Sequence, residues 1–193
     1  MRDEPVKSHP TLGCCGLDCG LCPRHYTVGV SRCPGCCGPG FFEKHPSCGY
    51  ITCCVRNEGL EVCALCDRFP CPRFEPWLET CAEHDSFITH ARVKDNMEFI
   101  RERGLAPFLE QQSKRIGLLA RMLQHFDDGR SRSFYCIATA LLPVPDLQTA
   151  LEESERSVSG QGIAAADTKA KARVLRQHLE GIAAREGIHL RLK

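Results

Sequence analysis

Three Cys-x-x-Cys units are the residues of this sequence best suited to chemistry. They stand at Cys19/Cys22, Cys33/Cys36 and Cys63/Cys66. Each unit can form a tight turn that directs two thiolates at one metal ion, with metal–sulfur bonds of about 2.3 Å for zinc. One such unit carries little information, but three in succession indicate a metal-binding region.

Ten cysteines are candidate metal ligands, in two groups. The first group is Cys15, Cys19, Cys22, Cys33 and Cys36, and the second is Cys48, Cys53, Cys63, Cys66 and Cys71. Each group has one thiol more than a tetrahedral site requires. The preferred quartets are Cys19/Cys22/Cys33/Cys36 and Cys48/Cys53/Cys63/Cys66, because each joins two close pairs across a loop. Cys15 and Cys71 are then alternates, or ligands of a further or shared ion.

Three further cysteines, Cys14, Cys37 and Cys54, each adjoin a candidate ligand. Neighbouring side chains tend to point in different directions, so these three are predicted to be structural thiols that face away from the metal. A purely hydrophobic use of all the cysteines is disfavoured, because the surrounding segment lacks the Leu, Ile and Val that such a core would need.

The predicted cofactor is zinc, about two ions per chain, and an iron–sulfur cluster is the alternative because four thiolates suit both. The run Cys15-Gly-Leu-Asp-Cys19-Gly-Leu-Cys22 also has the spacing of radical enzymes that bind S-adenosylmethionine at a four-iron cluster. Residues 23–93 do not supply the strands of the barrel that such enzymes need. That interpretation is therefore disfavoured.

Four histidines lie in or near the cysteine-rich segment: His25, His45, His84 and His90. Thiols already outnumber the coordination positions, so these histidines are predicted to be surface or packing residues. There is no paired-carboxylate, Ser-His-Asp, Walker or dinucleotide-binding glycine pattern in the sequence. Whether the protein is an enzyme is left open by these residues.

The elements that must position the thiols are mostly turns. Thirteen of the fifteen cysteines lie between Cys14 and Cys71, among many glycines and prolines, and no window there has a sustained helical or strand period. The sequence predicts an irregular, metal-stabilised N-terminal region with zinc-knuckle-like turns and little regular structure. The aromatic residues expected to complete its core are Phe41, Phe42, Phe69, Phe74 and Trp77.

An all-α C-terminal half is predicted from about residue 94, where helical periodicity begins. The helices expected are 94–103, a long one from Pro107 to Phe126, one capped by Ser133, one over 147–156 capped by Asp146, and a last one capped by Asp167. The predicted domains are a cysteine-rich metal-binding domain at 11–93 and a helical domain or extension at 94–193.

Composition places further limits on function. The chain of 193 residues is 42% apolar with a formal net charge of +1, and the basic residues between Cys14 and Cys71 are few and scattered. Nucleic acid and membranes are therefore not the expected partners, and a protein partner is. The N-terminus has no apolar leader segment. We therefore expect a cytoplasmic location, where thiols stay reduced and available to metal.

The sequence resembles the cysteine-rich domain of unknown function 3795 family in three blocks. These are Cys15-Gly-Leu-Asp-Cys19-Gly-Leu-Cys22-Pro, Cys33-Pro-Gly-Cys36 and Gly59-Leu-Glu-Val-Cys63-Ala-Leu-Cys66-Asp-Arg-Phe-Pro-Cys71. The likeness covers roughly residues 12–105 and keeps the order of the blocks. It implies metal binding and brings no established reaction. The doubled cysteines at 14/15, 36/37 and 53/54 exceed the number that the pattern needs.

Overall fold

The computed structural model describes residues 6–46 and 48–193, and within these ranges the regular structure is helical, without any β-strand. Six α-helices follow one another along the chain: α1 (Glu75–Thr80), α2 (Val93–Arg103), α3 (Leu105–Phe126), α4 (Arg132–Leu141), α5 (Val144–Gly160) and α6 (Thr168–Arg185). The prediction that the C-terminal half is helical is confirmed.

The ends of these helices correct part of the sequence prediction. α4 begins at Arg132, so Ser133 does not cap it. The preceding turn is closed by the Asp128 carboxylate, which accepts the N–H groups of residues 130 and 131 at 3.0 and 2.9 Å. The predicted cap of α6 is confirmed, because the Asp167 carboxylate accepts the Ala170 N–H at 2.9 Å.

Helix α5 also differs from its prediction over residues 147–156. It begins at Val144 and continues to Gly160. Pro143 immediately precedes it, and its second residue, Pro145, is compatible with the first turn of a helix because a first-turn N–H has no helical partner. Asp146 therefore lies within the first turn and is not the cap.

The chain divides into two compact units inside α3. The first unit runs to Gln112 and also includes Lys193, and the second unit is Ser113–Leu192. The division thus lies beyond residue 94, where the domains 11–93 and 94–193 were predicted to meet. The reason is that α2 packs on the cysteine-rich loops, where Asn96 Nδ2 donates to Gly16 O at 2.9 Å.

Short turns interrupt the loops of the first unit, and five of its cysteines lie within them. They are 3₁₀ turns at Cys19–Leu21, Pro23–Tyr26, Phe41–Glu43, Cys63–Leu65 and Cys81–Glu83, and a π-helical segment at Ile51–Asn57. Two backbone segments of these loops approach so closely at residue 35 that only glycine fits there. A Cβ on Gly35, whose φ is +89°, would lie 2.3 Å from the Pro10 carbonyl oxygen.

Two buried clusters stabilise the first unit. The apolar core contains Leu12, Val62, Ala64, Phe74, Cys81, Val93, Met97, Ile100 and Phe108. The cysteine core contains Cys14, Cys36, Cys37, Phe41, Ile51 and Cys54. The prediction of an aromatic organic core is therefore too narrow, because α2 contributes aliphatic side chains that lie outside the segment from which that prediction was made.

The second unit has a conventional helical core. α5 and α6 pack together and bury leucines such as Leu147 and Leu175. Tyr135 is fully buried, and its hydroxyl donates to the Phe126 carbonyl oxygen at 3.0 Å. Arg115 donates to the carbonyl oxygen of Leu142 at 2.7 Å, just beyond the end of α4. Over residues 6–46 and 48–193, none of the helices combines the length and apolarity needed to cross a bilayer.

Candidate metal centre

The cysteines of the first unit line two cavities. The larger cavity has a volume of about 380 Å³ and is lined by Cys14, Cys15, Cys19, Cys22, Cys33, Cys36 and Cys48. The smaller cavity has a volume of about 30 Å³ and is lined by Cys53, Cys54, Cys63, Cys66 and Cys71. All fifteen cysteines lie within residues 6–46 and 48–193, and none of them forms a disulfide bond there.

The cavities group the candidate ligands differently from their order in the sequence. All members of the first group, from Cys15 to Cys36, line the larger cavity. In the second group, Cys71 joins Cys53, Cys63 and Cys66 at the smaller cavity, whereas Cys48 lies at the larger one. Cys48 thus lines a different cavity from the other three thiols of the preferred second quartet, although Cys48 and Cys63 both contact Cys14.

Two of the Cys-x-x-Cys units form matching turns. The Cys22 N–H donates to the Cys19 carbonyl oxygen at 3.2 Å, and the Cys66 N–H donates to the Cys63 carbonyl oxygen at 3.0 Å. Both turns end in extended backbone, with φ/ψ of −78°/132° and −73°/137°. This is the tight turn that a pair of thiolates on one ion requires.

Backbone N–H groups point at several of the sulfurs. The sulfur of Cys22 accepts hydrogen bonds from the N–H groups of Arg24 and His25. The sulfur of Cys48 accepts from Tyr50 and Ile51, the latter at 3.4 Å. Such donors favour the thiolate over the thiol, and outer hydrogen bonds of this kind orient sulfur ligands in metal sites.

The three cysteines predicted to face away from the metal instead contact other thiols. Cys14 is hydrogen-bonded to Cys36, Cys48 and Cys63. Cys37 is hydrogen-bonded to Cys36, and Cys54 to Cys63. The extra thiol of each doubled cysteine thus serves as a donor to a candidate ligand. The three thiols thus lie beside candidate ligands, and their role as structural thiols that face away from the metal stays a prediction.

Hydrogen bonding between the thiols shifts their pKa values in opposite directions: it raises the pKa of the thiol that donates and lowers the pKa of the thiol that accepts. Donation from Cys14 lowers the pKa of Cys48 to about 6, despite its partial burial. Hydrogen bonds from Cys14 and a neighbouring thiol also hold the pKa of Cys36 and of Cys63 well below the usual value. The pKa of Cys14 is raised correspondingly, because its single proton is the one that the three neighbouring sulfurs share. Burial raises the pKa of Cys15 to about 12.

A buried lysine accompanies these sulfurs. Lys7 is 4% exposed, its backbone N–H donates to the Cys37 carbonyl oxygen at 3.2 Å, and its ammonium group donates to the Leu12 carbonyl oxygen. Hydrogen bonds are the main cause of the low pKa of Cys36 and Cys63, and the charge of Lys7 lowers both further. A buried cation costs several kcal/mol unless negative charge lies nearby, which ionised thiols supply.

The lining of the larger cavity includes a thiol–imidazole pair. Cys33 Sγ lies 3.3 Å from His45 Nε2, and the His45 ring stacks on Phe41 with centroids 4.7 Å apart. Burial, followed by the charges of Arg24 and Lys44, lowers the pKa of His45. The other histidines match their prediction as packing or surface residues: His25 Nδ1 lies 3.1 Å from the Cys33 carbonyl oxygen, His90 is buried, and His84 is exposed.

The residue types that line the cavities fit a thiolate-bound metal. Their sulfurs are spread over the cavity walls, however, and do not converge on one position. Within residues 6–46 and 48–193, no three Cys, His, Asp or Glu side chains form a group arranged to hold an ion. Four sulfurs bonded to a tetrahedral ion at about 2.3 Å lie about 3.8 Å apart. The thiols that line the cavities must therefore rearrange to bind one ion.

Three residues of the candidate site could not be identified from the spacing of residues in the sequence. Cys14 and Cys54 belong to no Cys-x-x-Cys unit, and their thiol partners are distant in sequence. Lys7 precedes the cysteine-rich segment and resembles an ordinary surface lysine in sequence. The doubled cysteines were the available indication in the sequence. The second thiol of each pair exceeds the number of ligands needed, which suggests that it has another role.

Comparisons of the chain with protein-family models, with curated proteins and with solved structures found no match. The resemblance to the cysteine-rich family stays a prediction. The function is therefore argued from the cavities, the thiol contacts and the charges of the first unit.

Proposed function

We propose that this protein binds zinc through cysteine thiolates of its first unit, about two ions per chain, and that the metal stabilises the loops around it. The observation that carries the proposal is the gathering of thiols around two cavities, seven at the larger and five at the smaller. Reduced thiolates in this number are the donor set that zinc prefers.

The smaller cavity supports a single ion. Its volume of about 30 Å³ is enough for one ion and leaves no room for a substrate. Cys53, Cys63, Cys66 and Cys71 would supply the four thiolates, and Cys54 would donate its hydrogen bond to Cys63. A site closed by four protein ligands has no open position for catalysis, so the role proposed here is structural.

The larger cavity would hold the second ion. Its candidate ligands are the thiols of the first group, from Cys15 to Cys36, together with Cys48. Lys7 would offset part of the negative charge that several thiolates carry.

The proposal includes recognition of a protein partner in the cytoplasm, as the sequence predicts. Val28 and Val30 support this part, because they are 88% and 93% exposed on the loop between Tyr26 and Cys33. Two exposed valines on one short loop favour contact with another protein over contact with water alone.

An iron–sulfur protein with a role in electron or sulfur transfer is the second candidate. The volume of the larger cavity, about 380 Å³, favours it because one zinc ion occupies only a small part of that space. The N–H groups that point at Cys22 and Cys48 also suit this cofactor, since hydrogen bonds to sulfur tune its reduction potential.

Metal analysis of the full chain, purified without oxygen, separates the two candidates. We expect about two zinc ions per chain, no acid-labile sulfide and no visible absorption. Four or more irons per chain with matching sulfide, and a brown protein that bleaches in air, would establish the second candidate instead. A protein that neither contains nor takes up metal would rule out both.

Single substitutions test which thiols are involved. Cys19→Ser and Cys63→Ser should each remove roughly one metal equivalent, because a hydroxyl is a poor replacement for a thiolate. Cys136→Ser is the control: this cysteine is buried, whereas Cys19 and Cys63 are partly buried, and it lies on α4 in the second unit. Equal metal loss from Cys136→Ser would contradict the proposed ligand sets.

A further inference from the structure

We infer that His45 is a metal ligand, bound through Nε2 to the same ion as Cys33 at the larger cavity. This inference rests on the proposed function, since it concerns the composition of one of the two centres. It replaces an all-thiolate site by a mixed thiolate–imidazole site. It also departs from the expectation that the histidines of this region are packing or surface residues.

The distance between the two side chains is the first argument. In a tetrahedral zinc site with a Zn–S bond of about 2.3 Å and a Zn–N bond of about 2.0 Å, the sulfur and nitrogen lie about 3.5 Å apart. Cys33 Sγ and His45 Nε2 are separated by 3.3 Å. The pair therefore already has the separation of two ligands on one ion.

The orientation of the imidazole is the second argument. His45 follows the 3₁₀ turn Phe41–Glu43, and its backbone N–H donates to the Phe41 carbonyl oxygen at 2.9 Å. Its ring lies parallel to the Phe41 ring, with an interplanar angle of 16°. Phe41 is itself a member of the cysteine core. A ring held on a buried neighbour presents Nε2 at a fixed position, as a metal ligand requires.

The surroundings of Cys33 supply further sulfur. The Cys33 N–H donates to the Arg24 carbonyl oxygen at 2.9 Å, which ties Cys33 to the turn that follows Cys22. The same turn directs two N–H groups at the Cys22 sulfur. Cys22, Cys33 and His45 all line the larger cavity. These three side chains would form one side of the centre, and another thiol of the cavity completes it.

Cobalt substitution of the full chain tests the inference, because tetrahedral Co²⁺ reports the number of thiolates through its visible bands. We expect the bands to lie at shorter wavelength than those of an all-thiolate protein, as imidazole has the stronger ligand field. His45→Ala should lose about one of the two cobalt equivalents. His84→Ala is the control, since His84 belongs to the same unit and is exposed.

His45→Cys provides the rescue. It should restore the lost equivalent and move the visible bands to longer wavelength, which a purely structural role of the ring would not produce. Cadmium NMR on the unsubstituted chain gives a test that requires no variant, because a bound imidazole shows scalar coupling between cadmium and its ring protons.

The outcomes separate this inference from the proposed function. If His45→Ala keeps two cobalt ions with an unchanged spectrum, or if cadmium shows no coupling to an imidazole, His45 only hydrogen-bonds the Cys33 thiol and the inference is wrong. The zinc proposal stands in that case. If the unsubstituted chain binds neither cobalt nor cadmium, the proposed function itself is wrong.

Discussion

The buried positions of the two units of this chain are filled by different types of residue. In the first unit, cysteine fills four of the six positions of the cysteine core. In the second unit, leucine and alanine fill most of the buried positions of α5 and α6. A leucine stabilises a fold through the burial of its apolar surface. A cysteine side chain buries less surface, and it stabilises a fold most when its sulfur binds a metal or another group. From this comparison we expect the first unit to depend on the proposed metal and the second unit to fold without one.

Removal of metal should give the largest difference between the units. After verified extraction by a strong chelator, we expect the first unit to lose its near-ultraviolet circular dichroism and its resistance to protease. The loops have too little apolar burial to offset their conformational entropy. The far-ultraviolet signal should largely survive, because most helical residues lie in α3, α4, α5 and α6.

The apolar core of the first unit would make this prediction wrong if it kept the unit folded without metal. Leu12, Phe74 and Met97 are each almost completely buried in it, and the candidate ligands Cys15, Cys63 and Cys71 only pack against it. If the loops remain protease-resistant after the metal is shown to be absent, this core is sufficient and the metal is not structural.

A cavity in the second unit should produce the reverse pattern. Leu175 is fully buried on α6, so Leu175→Ala should lower the free energy of unfolding of this unit by about 2–5 kcal/mol. Chemical denaturation followed by circular dichroism measures the loss. The metal content of the folded protein should not change. A simultaneous loss of metal would show that the two units are less independent than their cores suggest.

The smallest expected effect concerns the charge beside the sulfurs. Lys7→Met removes the buried ammonium and should weaken metal binding by about tenfold, measured by competition with a chelator, because the thiols then ionise less readily. Lys94→Met is the control: Lys94 lies in the same unit, and its side chain is 63% exposed on α2. Equal effects of the two substitutions would assign the change to net charge alone.

The helices of the second unit were predictable because their signals are local. Asp167 and the periodic apolar residues that follow it identify α6 within one stretch of sequence. The errors at α4 and α5 have a similar local origin. Several polar residues near a helix start can act as caps, and at α4 Asp128, in the preceding turn, prevailed over Ser133.

The first unit could be predicted only in part, because its order comes from contacts between distant residues. The sequence correctly indicated turns at Cys19 and Cys63. It did not indicate that α2 belongs to this unit, since the Asn96 contact with Gly16 joins residues far apart in the chain. The change of composition near residue 94 marks where helices begin, and this is different from where a compact unit ends.

The grouping of the thiols shows the same limit at the candidate site. Spacing identifies pairs such as Cys63 and Cys66, but it does not decide which other thiols face them. The choice of Cys71 over Cys48 at the smaller cavity depends on the path of the chain between them. A grouping based on sequence order therefore finds thiols that line common cavities, and it places Cys48 with thiols of the other cavity.

The buried carboxylate of Asp18 has a consequence for how this protein is made. It accepts hydrogen bonds from Asn96 at 2.8 Å and from Gln112 at 2.9 Å, side chains that follow it by 78 and 94 residues. The ribosome must therefore release the chain through the start of α3 before the turn at Cys19 is secured. During that interval the thiols of the nascent chain are open to oxidants and to whichever metal arrives first. Under the proposed metal-binding function, translation speed and the free metal supply at the ribosome would thus influence which ion the finished molecule contains.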